Sequence, residues 1–365
     1  MWEAKANVTS KTLNAIALPS LNCGFSYFES DAILAQYVTQ VVKTHLCLKT
    51  DPVFIKFTEY EHSYLFKFII STKSSDVRKS LAVKLYKARK SVDTPFNPSD
   101  NSCFFLEKIS SFSPEIPQLV VPRSVMKLTE LNGFVREWID GNDLATIMMG
   151  GRSSFNCEKK KLPSYFKKIG EVIGLIHNQT YSSDATSAKS FTISKVAAIN
   201  RQICNSYLKN SKYVKRTMTC IEDAISTIAW KNVGVTLTHG DLVHSNIVLP
   251  PDGGVALIDF AESRYDLPYH DISRFMVRTM IDYGWVHHRY PSSYIAGLNS
   301  RFFEGYLSSM RHKIKSDVFQ CFSIFNTLQF ISLLYKSGFR SFLSVRDWYA
   351  LFLLRNHPMQ LWEAN

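Results

Sequence analysis

Between Leu237 and Phe260 the chain runs through a polar loop and then turns back on itself. The loop opens with His239-Gly240-Asp241, and Asn246 stands five residues after Asp241. Two short apolar runs follow, Ile247–Leu249 and Val255–Ile258, separated by Pro250-Pro251-Asp252-Gly253-Gly254. Apolar runs flanking a cluster of Pro, Asp and Gly predict a β-hairpin. Closing that hairpin returns Asp259, thirteen residues after Asn246, to the side on which Asn246 stands. No other segment restricts the possible folds as tightly.

The chemistry of these side chains suits phosphoryl transfer. That reaction needs an oriented hydroxyl nucleophile and cations that spread the charge of the transferring group. Magnesium takes hard oxygen ligands, one or two from protein and the rest from phosphate and water. Asn246 and Asp259 carry suitable oxygens and are the expected metal ligands. Asp241, upstream in the same loop, can face a substrate hydroxyl and accept its proton. Asp and Asn also cap turns through their own backbone. Here the order, the spacing and the flanking strands all agree with the chemical reading. His239 is assigned a packing and hydrogen-bonding role within the loop rather than a catalytic one.

His-Gly-Asp-x4-Asn followed by a hydrophobic-Asp-Phe triplet resembles the aminoglycoside phosphotransferase and choline kinase group of the protein-kinase-like fold. The resemblance implies Asp241 as catalytic base, Asn246 and Asp259 as metal ligands, and ATP and Mg2+ as cofactors. It makes Asp271, in Tyr269-His270-Asp271-Ile272-Ser273, a helix N-cap or a brace for the catalytic loop. Ser80–Tyr86 resembles the strand that carries the phosphate-binding lysine, Lys84. Phe104–Ile109 resembles the helix whose glutamate, Glu107, pairs with that lysine; Glu115 is the alternative. Gly133–Gly141 resembles the strand leading to the hinge, where Glu137, Trp138 and Ile139 offer backbone groups to adenine. Ile169–His177 resembles the central helix of the large lobe.

The implied architecture is α+β and two-lobed, with a small five-stranded antiparallel β lobe and a larger, mainly helical one. Residues 1–50 form an extension packing on the small lobe, 51–138 the nucleotide-binding lobe, and 139–365 the lobe with the catalytic loop and acceptor site. The five strands are expected at 53–58, 64–71, 79–86, 119–128 and 133–137, from β-branched and aromatic alternation. Helices are expected at 142–149, 163–178, 192–210, 214–230, 271–284, 292–307, 315–336 and 343–354, with Pro163 starting the second. Helical spacing also marks 31–45.

The chain departs from the pattern in places. The segments 59–64 and 72–78 hold no glycine where backbone must approach phosphate. Ala261 follows Asp259-Phe260, and no activation segment ending in Ala-Pro-Glu is present. The catalytic loop also lacks the arginine of typical protein kinases; that and the missing Ala-Pro-Glu segment favour a small-molecule or glycan kinase over a protein kinase.

Composition bounds the rest. The 365 residues give ample length for packed cores. Seven scattered cysteines with no metal-site spacing suit a reduced, cytoplasmic chain. The longest apolar region, 321–335, is broken by Asn326 and Gln329 and is short for a bilayer; it reads as a buried helix. The net charge of +12 suits an anionic partner: a phosphorylated sugar, an acidic glycan, a glycolipid, or the inner face of a membrane. A lysine-rich solvated face is the plain alternative. Nucleic acid is not expected, for want of a binding module. The functional expectation is therefore an ATP- and magnesium-dependent phosphotransferase acting on a hydroxyl of a small molecule or glycan. An atypical protein kinase and a degenerate kinase-like binding module are the alternatives.

Overall fold

The computed structural model describes residues 31–46, 48, 52–60, 63–71, 78–87, 98–150, 155–184, 186–204, 212–227, 233–286 and 290–336. The helix expected at 343–354, the segment 72–77 and residues 1–30 lie outside them. The chain divides into two compact units, Met1–Ser111 with Val121–Asp140, and Phe112–Val120 with Gly141–Asn365.

The first unit is built on a five-stranded antiparallel sheet ordered β1-β2-β3-β6-β5. Its strands are β1 (Val53–Glu59), β2 (Ser63–Ser71), β3 (Arg78–Tyr86), β5 (Ser124–Leu128) and β6 (Gly133–Glu137). Alternate residues of β2 and β3 face inward: Phe66, Phe68 and Ile70 pack with Leu81, Val83 and Leu85. Helix α1 (Asp31–His45) adds Val38, Val41 and Val42 to that core. Helix α2 (Pro98–Ser110) buries Cys103, Phe105, Leu106 and Ile109.

One expected strand is divided. Instead of one element over 119–128, β4 (Leu119–Val120) belongs to the second unit and β5 begins at Ser124. Pro122 lies in the break; it has no N–H for a ladder and restricts the residue before it. Strand β4 pairs in parallel with β10 (Val255–Leu257), which pairs antiparallel with β9 (Ile247–Leu249). The short β7 (Asn142–Asp143) completes this four-stranded sheet beside β9. The predicted hairpin is therefore flanked on both sides.

The remainder of the second unit is mainly helical. It holds α3 (Leu144–Met149), α4 (Phe155–Gln179), α5 (Thr186–Cys204), α6 (Lys212–Thr227), α7 (Tyr269–Arg278), α8 (Ser292–Ser309) and α9 (Ser316–Lys336). Pro163 lies inside α4 rather than at its start; its missing N–H costs one helical bond, which the rest of a long helix tolerates. The helix expected over 271–284 changes character after Arg278 and continues as a π-helix over Thr279–Val286. Helices α4 and α8 meet backbone to backbone. A Cβ at Gly170 would lie 1.9 Å from the Phe302 carbonyl oxygen, and one at Gly305 2.0 Å from that of Lys167. Helix α9 packs on α7 and contributes the buried Phe322 and Phe325. No described helix is long and apolar enough to cross a membrane.

Candidate active site

The hairpin brings Asn246 and Asp259 to the same end. Pairing of Ile247 with Leu257 continues one step outward, where the Ile258 N–H donates to the Asn246 carbonyl at 3.0 Å. The turn is closed by the Gly253 N–H on the Pro250 carbonyl and by the Gly254 N–H on Asp252 Oδ1, both at 3.0 Å. Asp259 is the next residue after Ile258. Its φ of 68° lies in the left-handed region, which a non-glycine residue adopts at a cost and mostly at functional positions.

Asn246 and Asp241 are in direct contact. The Asn246 Nδ2 donates to the Asp241 carbonyl at 2.9 Å and to Asp241 Oδ2 at 3.2 Å. With its nitrogen facing Asp241, the buried Asn246 is left with Oδ1 as the atom it can offer a cation. One carboxamide oxygen and one carboxylate are a donor set that fits magnesium, which keeps phosphate and water in its other positions. Among the described residues no cluster of three or more His, Cys, Asp or Glu forms an all-protein metal cage.

The other Asp241 oxygen, Oδ1, accepts a bond from Arg274 Nη2 on α7. Burial works to raise the Asp241 pKa, but the Arg274 guanidinium, aided by His239 and more weakly by Arg278, outweighs it and holds the carboxyl below the usual range. Asp241 is thus ionised at neutral pH, and both its oxygens are oriented.

The loop backbone hangs from Asp271. Its Oδ2 accepts the His239 N–H at 2.6 Å and its Oδ1 the Gly240 N–H at 2.9 Å. His177 Nε2 on α4 lies 3.3 Å from the same Oδ2, and His177 Nδ1 is 3.0 Å from the Tyr306 hydroxyl on α8. Asp271 is fully buried, and the cap of α7 is Pro268. Of the two roles expected for Asp271, the geometry is that of the brace. His239 packs 4.9 Å from the Phe260 ring, and its Nε2 meets the Ile258 carbonyl at 2.9 Å while Nδ1 faces the Asp241 N–H at 3.4 Å. Those partners fix Nε2 as the protonated nitrogen. The ring ties the loop to the hairpin. Strand β11 (Arg264–Asp266) pairs with β8 (Thr236–Thr238) on the far side, and Ser263 Oγ donates to the His239 carbonyl at 2.8 Å.

Gly240 has a φ of 80°, and a Cβ there would lie 2.0 Å from the Glu262 carbonyl oxygen. Gly240→Ala is therefore expected to cost about 2 kcal/mol or more of stability. A urea melt checks this; a midpoint equal to wild type would show that the loop can relax away from Glu262.

The residues expected in the first unit behave differently. Lys84 is buried on β3, its Nζ 5.1 Å from the Tyr86 ring centroid. The expected Lys84–Glu107 ion pair is not formed among the described residues. Glu107 is exposed on α2, which turns Cys103, Leu106 and Ile109 inward instead. The alternative, Glu115, lies in the second unit with Gln179, from which it accepts a bond. At the hinge two of the three amides are spent within the unit. The Glu137 N–H donates to the Arg123 carbonyl and the Trp138 N–H to the Ser80 carbonyl, both at 2.9 Å. Strand pairing carries on past Leu81 and Glu137 and consumes them. Ile139, half-buried, is the one whose amide makes no such bond.

Sequence reading missed Arg274. Its signal is position: it stands three residues after Asp271 on one helix, so the two share a face. Asp271 holds His239 and Gly240, and Arg274 holds the next residue, Asp241. The polar residues that interrupt the apolar run of α9 are explained by the same face. Asn326 Nδ2 donates to Ser273 Oγ at 2.6 Å, and Gln329 Oε1 lies 3.5 Å from Arg274 Nη1.

No curated protein matches the chain by sequence. Solved structures similar to it include the choline kinase LicA of Streptococcus pneumoniae, at 15% identity and TM-score 0.54. That match covers 89% of this chain and all of the other. An ethanolamine kinase of Plasmodium vivax matches at 15% identity and TM-score 0.57, covering 98% of each chain. A glucosamine kinase matches at 12% identity and TM-score 0.56, over 82% of this chain and 83% of its own. At such identities the likeness is one of fold, the two-lobed kinase-like α+β fold. The phosphotransferase enzyme family model (APH) matches residues 105–314, more than half of the chain, and includes Asp241, Asn246, Asp259 and Asp271. The chain belongs to the phosphotransferase enzyme family and is a kinase with a hydroxyl group as acceptor.

Proposed function

We propose that this kinase transfers the γ-phosphoryl group of ATP, with magnesium, to a hydroxyl of a small molecule or glycan. The observation that carries the reading is the joint placement of Asp241, Asn246 and Asp259 by one hairpin and one loop. Asp241, ionised and held at both oxygens, orients the acceptor hydroxyl and takes its proton. The acceptor oxygen forms its bond to the γ-phosphorus as the bond to the ADP oxygen breaks. A carboxylate held below its usual pKa is a weak base, which suits a loose transition state in which the proton leaves late. Asn246 Oδ1 and the Asp259 carboxylate are the groups that would hold magnesium, which would neutralise phosphate charge when bound. Lys84 is assigned to the nucleotide phosphates and Ile139 to adenine. Glu137 and Trp138 retain only their carbonyls for that purpose, and Glu107 has no lysine to orient. Neighbouring structures support the nucleotide: an amicoumacin kinase carries AMP-PNP and Ca2+, and LicA carries AMP. The extension, the two lobes and a cytoplasmic setting, with the inner membrane face as a place of contact, complete the reading.

The test is a thermal titration. ATP with magnesium is expected to raise the melting temperature, ATP alone less, and Asp259→Asn to abolish the magnesium-dependent part. Ligand at a hundredfold excess over Kd contributes about 2.7 kcal/mol, a readily measured shift. Absence of any shift in the wild-type protein would favour a kinase-like binding module instead.

A further inference from the structure

A row of residues crosses one face of the five-stranded sheet just before the hinge. Register places Lys67 of β2 opposite Ala82 of β3, and Ala82 opposite Arg136 of β6. Side chains alternate along a strand, so this row and Lys84 share a face. It is the face on which α2 packs, since the Tyr86 hydroxyl meets Ser102 Oγ at 2.9 Å, and α1 covers the other. Lys84, Arg136 and the hinge residues Glu137 to Ile139 all belong to the first unit.

Arg136 is largely buried, and its Nη1 donates to the Glu137 carbonyl at 3.0 Å in a bond that is only part-buried. The Glu137 N–H is already given to Arg123 and the Trp138 N–H to Ser80. Both backbone groups of Glu137 are therefore engaged, and its carbonyl has a guanidinium beside it. Lys67 brings a second cation to the hinge: its Nζ lies 4.4 Å from the Trp138 ring centroid and 3.4 Å from Asp140 Oδ1, an exposed carboxylate. The Glu137 carboxylate faces Lys79 at 4.0 Å. The edge on which a base would be read is thus dominated by donors.

Purines differ in what they present to such an edge. Adenine carries an amino group at position 6, a donor, whereas guanine and hypoxanthine carry a carbonyl oxygen there, an acceptor. A 6-amino group brought to the Glu137 carbonyl meets the Arg136 guanidinium, donor against donor. A 6-oxo group in the same place accepts from it, and arginine is a strong partner for the O6 and N7 of guanine. A donor facing a donor loses the affinity of one hydrogen bond, roughly tenfold.

We infer that Arg136 is a specificity residue at the base end of the nucleotide site, and that a 6-oxo purine nucleotide, hence GTP, is held more tightly than ATP. The inference rests on the reading of Lys84 and the hinge as nucleotide contacts. It leaves ATP as a donor of the phosphoryl group and makes it the weaker one.

The test is calorimetric titration of the intact protein with the magnesium complexes of ATP, GTP and inosine triphosphate, which shares the 6-oxo group of guanine and lacks its 2-amino group. GTP and inosine triphosphate are each expected to bind about tenfold or more tighter than ATP. Arg136→Met removes the donor and releases the Glu137 carbonyl, and is expected to bring the three affinities to within about threefold of one another. Each comparison is a ratio within one protein sample, so a fraction of unfolded variant cancels, and the wild-type ratio is a test by itself where Arg136→Met does not fold. ATP bound as tightly as inosine triphosphate overturns the inference and leaves the nucleotide site standing. Tight binding of GTP with inosine triphosphate at the level of ATP, or a preference unchanged in Arg136→Met, also overturns it, because recognition then lies with the 2-amino group or away from Arg136. Binding of none of the three overturns the nucleotide reading itself, and the inference with it.

Discussion

Asp241→Asn is expected to lower kcat for phosphoryl transfer by about 10³-fold while leaving nucleotide affinity within about threefold. The substitution removes the proton acceptor and the negative charge but keeps the side-chain size. The asparagine oxygen can still accept from Arg274, while its new amide group faces the Asn246 Nδ2 that donated to Asp241 Oδ2. That mismatch costs about 1–2 kcal/mol of local stability, too little to unfold a domain. The measurement is steady-state transfer from labelled ATP across neutral, anionic and cationic hydroxyl acceptors, beside nucleotide binding by thermal shift. Lost transfer with retained binding places Asp241 on the chemistry. Transfer at the wild-type rate removes Asp241 from the role of base, and loss of both together would mark it as a structural residue.

The parts of the site legible in the sequence are those that the chain makes locally. Asp241, Asn246 and Asp259 sit on one loop and one hairpin, which turn residues between two apolar runs announce locally, although Asp271 and Arg274 then hold the loop in place. What failed depends on packing between separate elements. Whether Glu107 faces β3 depends on the rotation of α2 about its own axis, and Cys103, Leu106 and Ile109 claimed the inward face. Strand β4 was merged with β5 because both are apolar, although Pro122 marked the break and β10 supplied a partner. Which backbone groups Glu137 and Trp138 keep for adenine was equally out of reach, because a strand's end is decided by its neighbours, here Arg123 and Ser80. Arg274 acts 33 residues from Asp241, across a hairpin and a helix, so no local pattern announces it. The fold itself was readable because strand alternation in the first unit and helical spacing in the second are both strong and separate in sequence.

Asp271→Ala is expected to destabilise the protein by about 3–5 kcal/mol and to abolish transfer even where the protein still folds. The carboxylate is fully buried and receives the His239 and Gly240 N–H groups as well as His177. Removing it leaves two backbone donors without acceptors, each costing about 1–3 kcal/mol, beside a buried imidazole that has lost one of its two partners. The loop that carries Asp241 then has no anchor to α7. Asp271→Asn should lose nearly as much, because an amide nitrogen would oppose one of the two N–H groups. The effect has a pH signature. Burial works to raise the Asp271 pKa, but the bonds from His177 and the His239 backbone hold it below the ordinary value. Its contribution is therefore complete above the unfolded pKa of about 3.9 and disappears as pH falls through the lower folded value. Urea melts of wild type and Asp271→Ala should accordingly differ most at neutral pH and converge as the solution is acidified below about pH 4. A difference under about 1 kcal/mol at pH 7, or one that widens on acidification, is incompatible with a carboxylate bracing the catalytic loop.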